Sequence, residues 1–399
     1  MPTLESEVAL SLNQQEIRVV IADDSAVMRG VLRTLFAQCA SRHAGTGIEL
    51  CGVARDGVEC LQQVRHERPD VLVLDLEMPR LHGLEVVTQL HREQPRLPIL
   101  ICSAYTVRGA RCTIEALARG ASDYVTKPAE SLESAQAMEL LAQELLPRIL
   151  SLAGRHTRTT VATGRRLAAE VSTARRVDVV AIGVSTGGPS ALERVLPGLP
   201  ADLPVPVLIA QHMPRLFTSV LAERLNAKCK LRVCQAEDGA IVTPGSILLA
   251  PGDMHMTVRR ESAEPGAVCR IHLSHDTAGL PFQPSADLLF HSVAQTYESG
   301  ALGLVMTGMG SDGLEGARHI HKQGGIVLAQ DQASSVVWGM PGRVVQAGLT
   351  DTPIPLNEIA RVVAECVISS RQGNGSSVRS SGAQSYAADL SLEMPYGVL

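Results

Sequence analysis

At 399 residues the chain is too long for one ordinary core and fits two domains of roughly 100–200 residues each. Hydrophobic residues make up 45% and charged residues 19%, a globular composition, and no apolar run approaches the ~20 residues of a membrane span, so direct membrane insertion is not expected. The net charge of −5, with both signs interspersed, offers no extended basic surface and argues against nucleic acid as the partner.

Residues Met1 to Gln15 lack a basic start followed by an apolar run, so no secretory signal is expected. Nine cysteines without a Cys-x-x-Cys pair read as free thiols in a reducing compartment, and a cytoplasmic location follows. From Ile17 onward, short apolar runs alternate with amphipathic stretches: Ile17 to Ala22, Ile48 to Ala54, Val71 to Leu74, Ile99 to Ser103 and Tyr124 to Thr126. Helical patterns such as Gly57 to Glu67 and Thr106 to Arg119 separate them, which predicts a doubly wound, five-stranded parallel sheet. Ligands of such sheets bind outside the carboxyl ends of the strands, so the residues just after each run are the candidates.

An amphipathic helix is expected over Glu130 to Arg148. Ser151 to Arg176, rich in Arg, Thr and Ala, then reads as an exposed linker. A second α/β series follows through Val177 to Val184, Val205 to Ala210, Ile247 to Ala250, Ala301 to Met306 and Ile326 to Ala329, predicting a second doubly wound parallel sheet. The expected organisation is a domain over 17–134, a helical and flexible linker over 135–176, a second domain over 177–370 and a disordered tail over 371–399.

Asp23 and Asp24 follow the first strand and Asp75 the third, so three carboxylates converge on one sheet edge and repel unless a cation joins them. An all-oxygen set suits Mg²⁺, which keeps several waters and favours carboxylates with phosphate. Ser103 after the fourth strand and Lys127 after the fifth add a hydroxyl and a positive charge. Residues Ile17 to Ser134 resemble the receiver domain of two-component response regulators, a flavodoxin-like fold. The resemblance implies that Asp75 accepts a phosphoryl group from a histidine kinase. It implies too that Asp23, Asp24 and Asp75, with the backbone near Glu77, bind Mg²⁺, and that Ser103 and Lys127 contact the phosphoryl group. Tyr124 matches that family's aromatic switch position; His82 stands where the family commonly has Asp and is assigned no role.

In the second half, the strand ending at Val184 runs into Ser185-Thr186-Gly187-Gly188-Pro189 and a helical pattern, a turn that lifts a serine to the sheet edge. A phosphate-cradling loop is the competing reading, weakened by the absence of Gly-x-Gly-x-x-Gly. The next strand runs into Gln211-His212-Met213-Pro214, offering a base, and Ala301 to Met306 runs into Thr307-Gly308-Met309-Gly310-Ser311-Asp312-Gly313, offering a carboxylate to orient it. The order Ser, His, Asp excludes an ordinary α/β-hydrolase, which runs Ser, acid, His. Through these motifs, and through Pro251-Gly252-Asp253-Met254-His255 and Pro284-Ser285-Ala286-Asp287, residues Val177 to Val367 resemble the catalytic domain of protein-glutamate methylesterases. The resemblance implies Ser185 as nucleophile, His212 as base and Asp312 as its orienter, with Thr186 and the backbone around Met309 serving oxyanion or substrate. Asp253, His255, His275 and Asp287 read as structural loop residues.

The resemblance implies a phosphorylation-activated hydrolase that demethylates glutamate γ-methyl esters on the cytoplasmic domain of methyl-accepting chemoreceptors, releasing methanol for adaptation in chemotaxis. Some relatives also deamidate glutamine. Mg²⁺ is the implied cofactor of the receiver, and none is expected in the catalytic domain. The rival is a phosphorylation-dependent protein-binding regulator with a vestigial esterase domain, which the complete Ser-His-Asp set disfavours.

Overall fold

The computed structural model describes residues 16–42, 47–128, 134–154, 176–350 apart from 263, 265, 276–278, 280 and 281, and 352–372. Half of the expected linker, 155–175, and all but the first two residues of the expected tail lie outside these. Strands β1 (Ile17–Ala22), β2 (Ile48–Ala54), β3 (Val71–Asp75), β4 (Ile99–Ser103) and β5 (Asp123–Thr126) form an all-parallel sheet in the order β2-β1-β3-β4-β5. Helices α1 (Ala26–Arg42), α2 (Gly57–Glu67), α3 (Gly83–Glu93) and α4 (Val107–Ala118) connect successive strands. Every residue of β3 and β4 is buried, as expected of a parallel strand covered on both faces.

His82 has a local explanation. Its Nδ1 accepts from the Leu84 N–H at 3.2 Å while the Glu85 carboxylate accepts from the His82 N–H at 3.2 Å, a reciprocal cap on the first turn of α3. Histidine here serves the helix terminus.

The helix expected over Glu130 to Arg148 is described as α5 (Ser134–Ala153), running past Ser151 into the stretch expected to be linker. Leu141, Leu145, Ile149 and Leu152 share one face and pack in the core with Val19, Ile21, Val73 and Leu100. The stripe ends on Leu152, one isolated apolar residue beyond Ser151, so the pattern is weak at that end.

In the second half, β6 (Val179–Val184), β7 (Val207–Gln211), β8 (Arg232–Gln235), β9 (Ser246–Leu249), β12 (Ala301–Val305) and β13 (Ile326–Ala329) form a parallel sheet in the order β13-β12-β6-β7-β9-β8. β10 (His255–Arg260) and β11 (Cys269–Ser274) make a separate antiparallel hairpin. Helices α6 (Gly188–Val195), α7 (Arg215–Lys228), α8 (Ala286–Tyr297), α9 (Leu314–Lys322), α10 (Met340–Gln346) and α11 (Ile359–Gln372) complete the fold. The last of these carries regular structure past residue 370, where a tail was expected.

Strand β8 and the hairpin carry no continuous apolar run: β8 is an edge strand with one buried residue, Val233, and β10 buries Met256 and Val258 in alternation with polar neighbours. Strand order reverses at β6, the first strand of this sheet, so a crevice opens at its carboxyl end beside β12. Among the described residues no helix is long and apolar enough to cross a membrane.

Because Leu145 is fully buried in the first core, Leu145→Ala should cost about 2–5 kcal/mol. An earlier urea transition of the N-terminal half would show this, and an unchanged one would separate α5 from that core.

Candidate active site

Ser185 is the first residue after β6. Its N–H donates to the Thr307 carbonyl at 3.0 Å, and its own carbonyl accepts from the Gly188 N–H at 2.7 Å, closing a tight turn into α6. Gly187 has φ 75°, a region L side chains avoid, and a Cβ on Gly308 would lie 2.8 Å from the Ser185 Cβ. Glycine at these positions lets the chain from β12 run directly alongside the serine.

His212 is the first residue after β7, whose register pairs Val184 with Gln211, so Ser185 and His212 stand side by side at neighbouring strand ends. The His212 N–H donates to the Val184 carbonyl at 3.1 Å. Its Nε2 lies 2.7 Å from Asp312 Oδ2, while its Nδ1 is buried with no partner. An ionised carboxylate can only accept, so in neutral His212 the Nε2 carries the proton and the Nδ1 lone pair is left for a hydroxyl. Phe282 stacks on the ring at 4.5 Å and 10°, fixing its plane.

Asp312 comes from the loop after β12, on the other side of β6. Besides His212 it accepts from Ser285 Oγ at 2.9 Å and from the N–H groups of Ala286 at 2.7 Å, Asp287 at 3.0 Å and Gly313 at 3.1 Å. Two of these are first-turn donors of α8, so the helix N-terminus faces the carboxylate. Burial opposes ionisation, but the hydrogen bonds from His212 and these backbone groups hold Asp312 well below the usual carboxylate range. Burial and the neighbouring Asp312 charge push Asp287 the other way, although its carboxylate accepts from the Gly316 N–H at 2.7 Å.

In the first sheet, Asp23, Asp24 and Asp75 offer oxygens all within 4.8 Å of one another. Asp23 and Asp75 are buried, Asp24 is open to solvent, and Lys127 Nζ lies 2.8 Å from both Asp23 Oδ2 and Asp75 Oδ2. Burial works against the ammonium charge, but the two carboxylates raise the Lys127 pKa above its ordinary value. Three carboxylates with one solvent-open side fit Mg²⁺, which retains water. Ser103 is buried beside this cluster, but its hydroxyl donates to the Gly109 carbonyl at 3.3 Å and to none of the carboxylates.

The family model described as CheB methylesterase matches residues 180–363, and that of the response regulator receiver domain matches residues 19–139. A protein-glutamate methylesterase/protein-glutamine glutaminase of Trichodesmium erythraeum (strain IMS101) is 39% identical over 355 residues, covering 87% of this chain and 98% of the relative. The chain belongs to this family. The protein-glutamate methylesterase/protein-glutamine glutaminase 2 of Caulobacter vibrioides is 40% identical over 352 residues, covering 87% of this chain and 98% of the relative. The crystal structure of the Thermotoga maritima CheB methylesterase catalytic domain is 36% identical with a TM-score of 0.45, covering 47% of this chain and 98% of that one.

The receiver domain touches the methylesterase domain at the loop that follows β6. Asp123, at the start of β5, faces Thr186, whose side chain favours the charged carboxylate, and lies 3.3 Å from Arg148 of α5. Thr186 is buried, and its carbonyl accepts from Thr307 Oγ1 at 2.9 Å. Met309 lies under α5, its Sδ accepting from Ser151 Oγ at 3.1 Å. Tyr124 stacks on Phe217 of α7 at 4.7 Å and 16°, and Tyr105 flanks the same ring at 6.0 Å. Around these contacts Ser190 Oγ donates to the Leu117 carbonyl at 2.8 Å, and Arg224 bridges Glu115 and Glu193.

Other loop residues support the site from behind. Buried His255 accepts from the Ser285 N–H at 3.2 Å through Nδ1, and Asp253 Oδ2 accepts from the Arg215 N–H at 3.4 Å. His275 lies on the surface with Nδ1 3.1 Å from the Asp253 carbonyl oxygen. Ser285, Phe282 and Asp123 received no role from sequence alone. Ser285 was findable, because Ser-Ala-Asp before the apolar run Leu288-Leu289-Phe290 is an N-cap signature, and Ser285 does accept from the Leu288 N–H at 3.3 Å. Phe282 and Asp123 carry no local signal.

Asp312 thus holds a loop together as well as an imidazole. Asp312→Asn leaves some of those donors without an acceptor and should lower stability by about 1–3 kcal/mol; a thermal melt unchanged from wild type would contradict this dual role.

Proposed function

We propose that the chain is a phosphorylation-activated serine hydrolase that demethylates glutamate γ-methyl esters on the cytoplasmic helices of chemoreceptors. Ser185 Oγ attacks the ester carbonyl while His212 Nδ1 takes its proton. The imidazolium, stabilised by Asp312, returns that proton to the departing methoxide, and methanol leaves. Backbone N–H groups at Thr186 and Met309 hold the oxyanion. Water, activated by the same imidazole, then cleaves the acyl-enzyme to free glutamate and Ser185. The observation that carries this reading is the His212–Asp312 pairing, which commits Nε2 and leaves Nδ1 for the adjacent serine. Relatives carry glutaminase in their names, and the same steps fit a glutamine amide, where His212 must protonate the leaving nitrogen.

In the receiver, Asp75 accepts a phosphoryl group from a histidine kinase. Asp23, Asp24 and Asp75 would hold Mg²⁺, which neutralises phosphoryl charge. Lys127 is poised against the same carboxylates, and Ser103 reaches the phosphoryl group once its hydroxyl turns from Gly109. Activation is release of cover: Thr186 and Met309, the oxyanion candidates, are both held by the receiver domain and its α5 helix. The kinase, the receptor substrate and the free thiols among the described residues all fit a cytoplasmic enzyme.

Ser185→Ala should abolish methanol release from a methylated receptor without unfolding the protein, and near-normal release by that variant would end the serine mechanism. Glu115→Arg, on the receiver face, sets a cation against Arg224 and should raise activity of the unphosphorylated enzyme, about 5-fold for each ~1 kcal/mol by which the closed arrangement is weakened. Unchanged basal turnover in Glu115→Arg would mean that coverage is not what restrains the enzyme.

A further inference from the structure

We propose that Gln211 is a positioning residue that ties the main chain of the nucleophile to that of the base. The inference rests on reading Ser185 as nucleophile and His212 as base. Gln211 ends β7 and is only 1% exposed. Its Nε2 donates to the Ser185 carbonyl at 3.0 Å and to the His212 carbonyl at 3.2 Å, so both protons of one carboxamide join the two residues. The regular ladder between these strands runs out here, with the His212 N–H on the Val184 carbonyl as its last rung. Beyond that rung the Gln211 amide is the cross-link between the two loops.

Two features separate this from ordinary polar packing. First, Gln211 Oε1 is buried without a partner. A buried acceptor left unpaired costs stability, so the side chain gives up one hydrogen bond to place both donors on Ser185 and His212. The opposite amide orientation would set Oε1 against two carbonyl oxygens. Second, a Cβ at Gly188 would come within 2.0 Å of Gln211 Oε1. Gly188 has no left-handed φ to explain it. The second glycine of Ser-Thr-Gly-Gly-Pro therefore makes room for the carboxamide.

Serine and imidazole must meet within about half an ångström of the productive geometry, and a misplacement of ~1 Å can cost about 100-fold in rate. Gln211 is sealed from solvent and cannot touch a receptor helix, so its loss should fall on turnover and spare substrate binding.

The test is Gln211→Met, of similar length with neither donors nor charge, measured in the full-length chain beside Ser185→Ala. Gly188→Ala is the second variant, which crowds the carboxamide without removing it. The expected result for both Gln211→Met and Gly188→Ala is a kcat for methanol release lowered ~10–100-fold, with KM unchanged and Ser185 labelling by a fluorophosphonate slowed in proportion. Either variant folding with wild-type kcat and labelling, whatever its melting temperature, overturns the inference and makes Gln211 a packing residue. If Ser185→Ala retains methanol release, the serine mechanism itself fails and this inference with it. Inactive Ser185→Ala beside a fully active Gln211→Met rejects the positioning role alone.

Discussion

Parallel strands all end at the same edge of their sheet, and the chemistry of both halves depends on that constraint. Ser185, His212 and the loop bearing Asp312 leave β6, β7 and β12, three strands adjacent in the sheet, so residues 100 positions apart, His212 and Asp312, meet within hydrogen-bond reach. Asp23, Asp75, Ser103 and Lys127 stand at the matching edge of the other sheet. The edge also gathers helix N-termini, and α8 directs its first-turn donors at Asp312. A carboxylate held there stays ionised despite burial and can support a developing imidazolium.

The two edges are joined by a short piece of structure. β5 runs into Lys127, on the Asp23 and Asp75 carboxylates, and begins at Asp123, which faces Thr186 beside Ser185. Four residue steps of strand, ~13 Å, separate those ends, and between them Tyr124 stacks on Phe217 at the start of the helix that follows His212. The ion pairs across this seam, Arg224 with Glu115 and Arg111 with Glu223, are partly or largely solvent-exposed, so each contributes little alone. The stack of Tyr124 on Phe217 is the costlier contact to break. An interface with few strong contacts suits a switch, because a modest preference of the phosphorylated receiver for another arrangement can release it.

Much of this was legible in the sequence because period-two and apolar-run patterns mark strand ends, and in parallel sheets strand ends are where the chemistry lies. The two parallel sheets and the Ser185, His212 and Asp312 loops were readable on that basis. Edge strand β8 and the β10–β11 hairpin were not, since half-exposed strands lack a continuous apolar run. Leu152 extends α5 without enough local pattern to announce it. His82 caps α3, a terminus for which aspartate is also a favoured residue type. The seam between the domains is invisible to local pattern, because Asp123–Thr186 and Tyr124–Phe217 depend on how two finished surfaces meet.

Control of access to Ser185 by the receiver is tested most directly by the rate at which a bulky fluorophosphonate labels Ser185 in the full-length protein with and without a small phosphodonor and Mg²⁺. Faster labelling with phosphodonor is expected in the wild type, and a slow, unresponsive rate in Asp75→Ala. Equal labelling rates in the wild type with and without phosphodonor, while methanol release still rises, would contradict it and move the control of activity from access to another step.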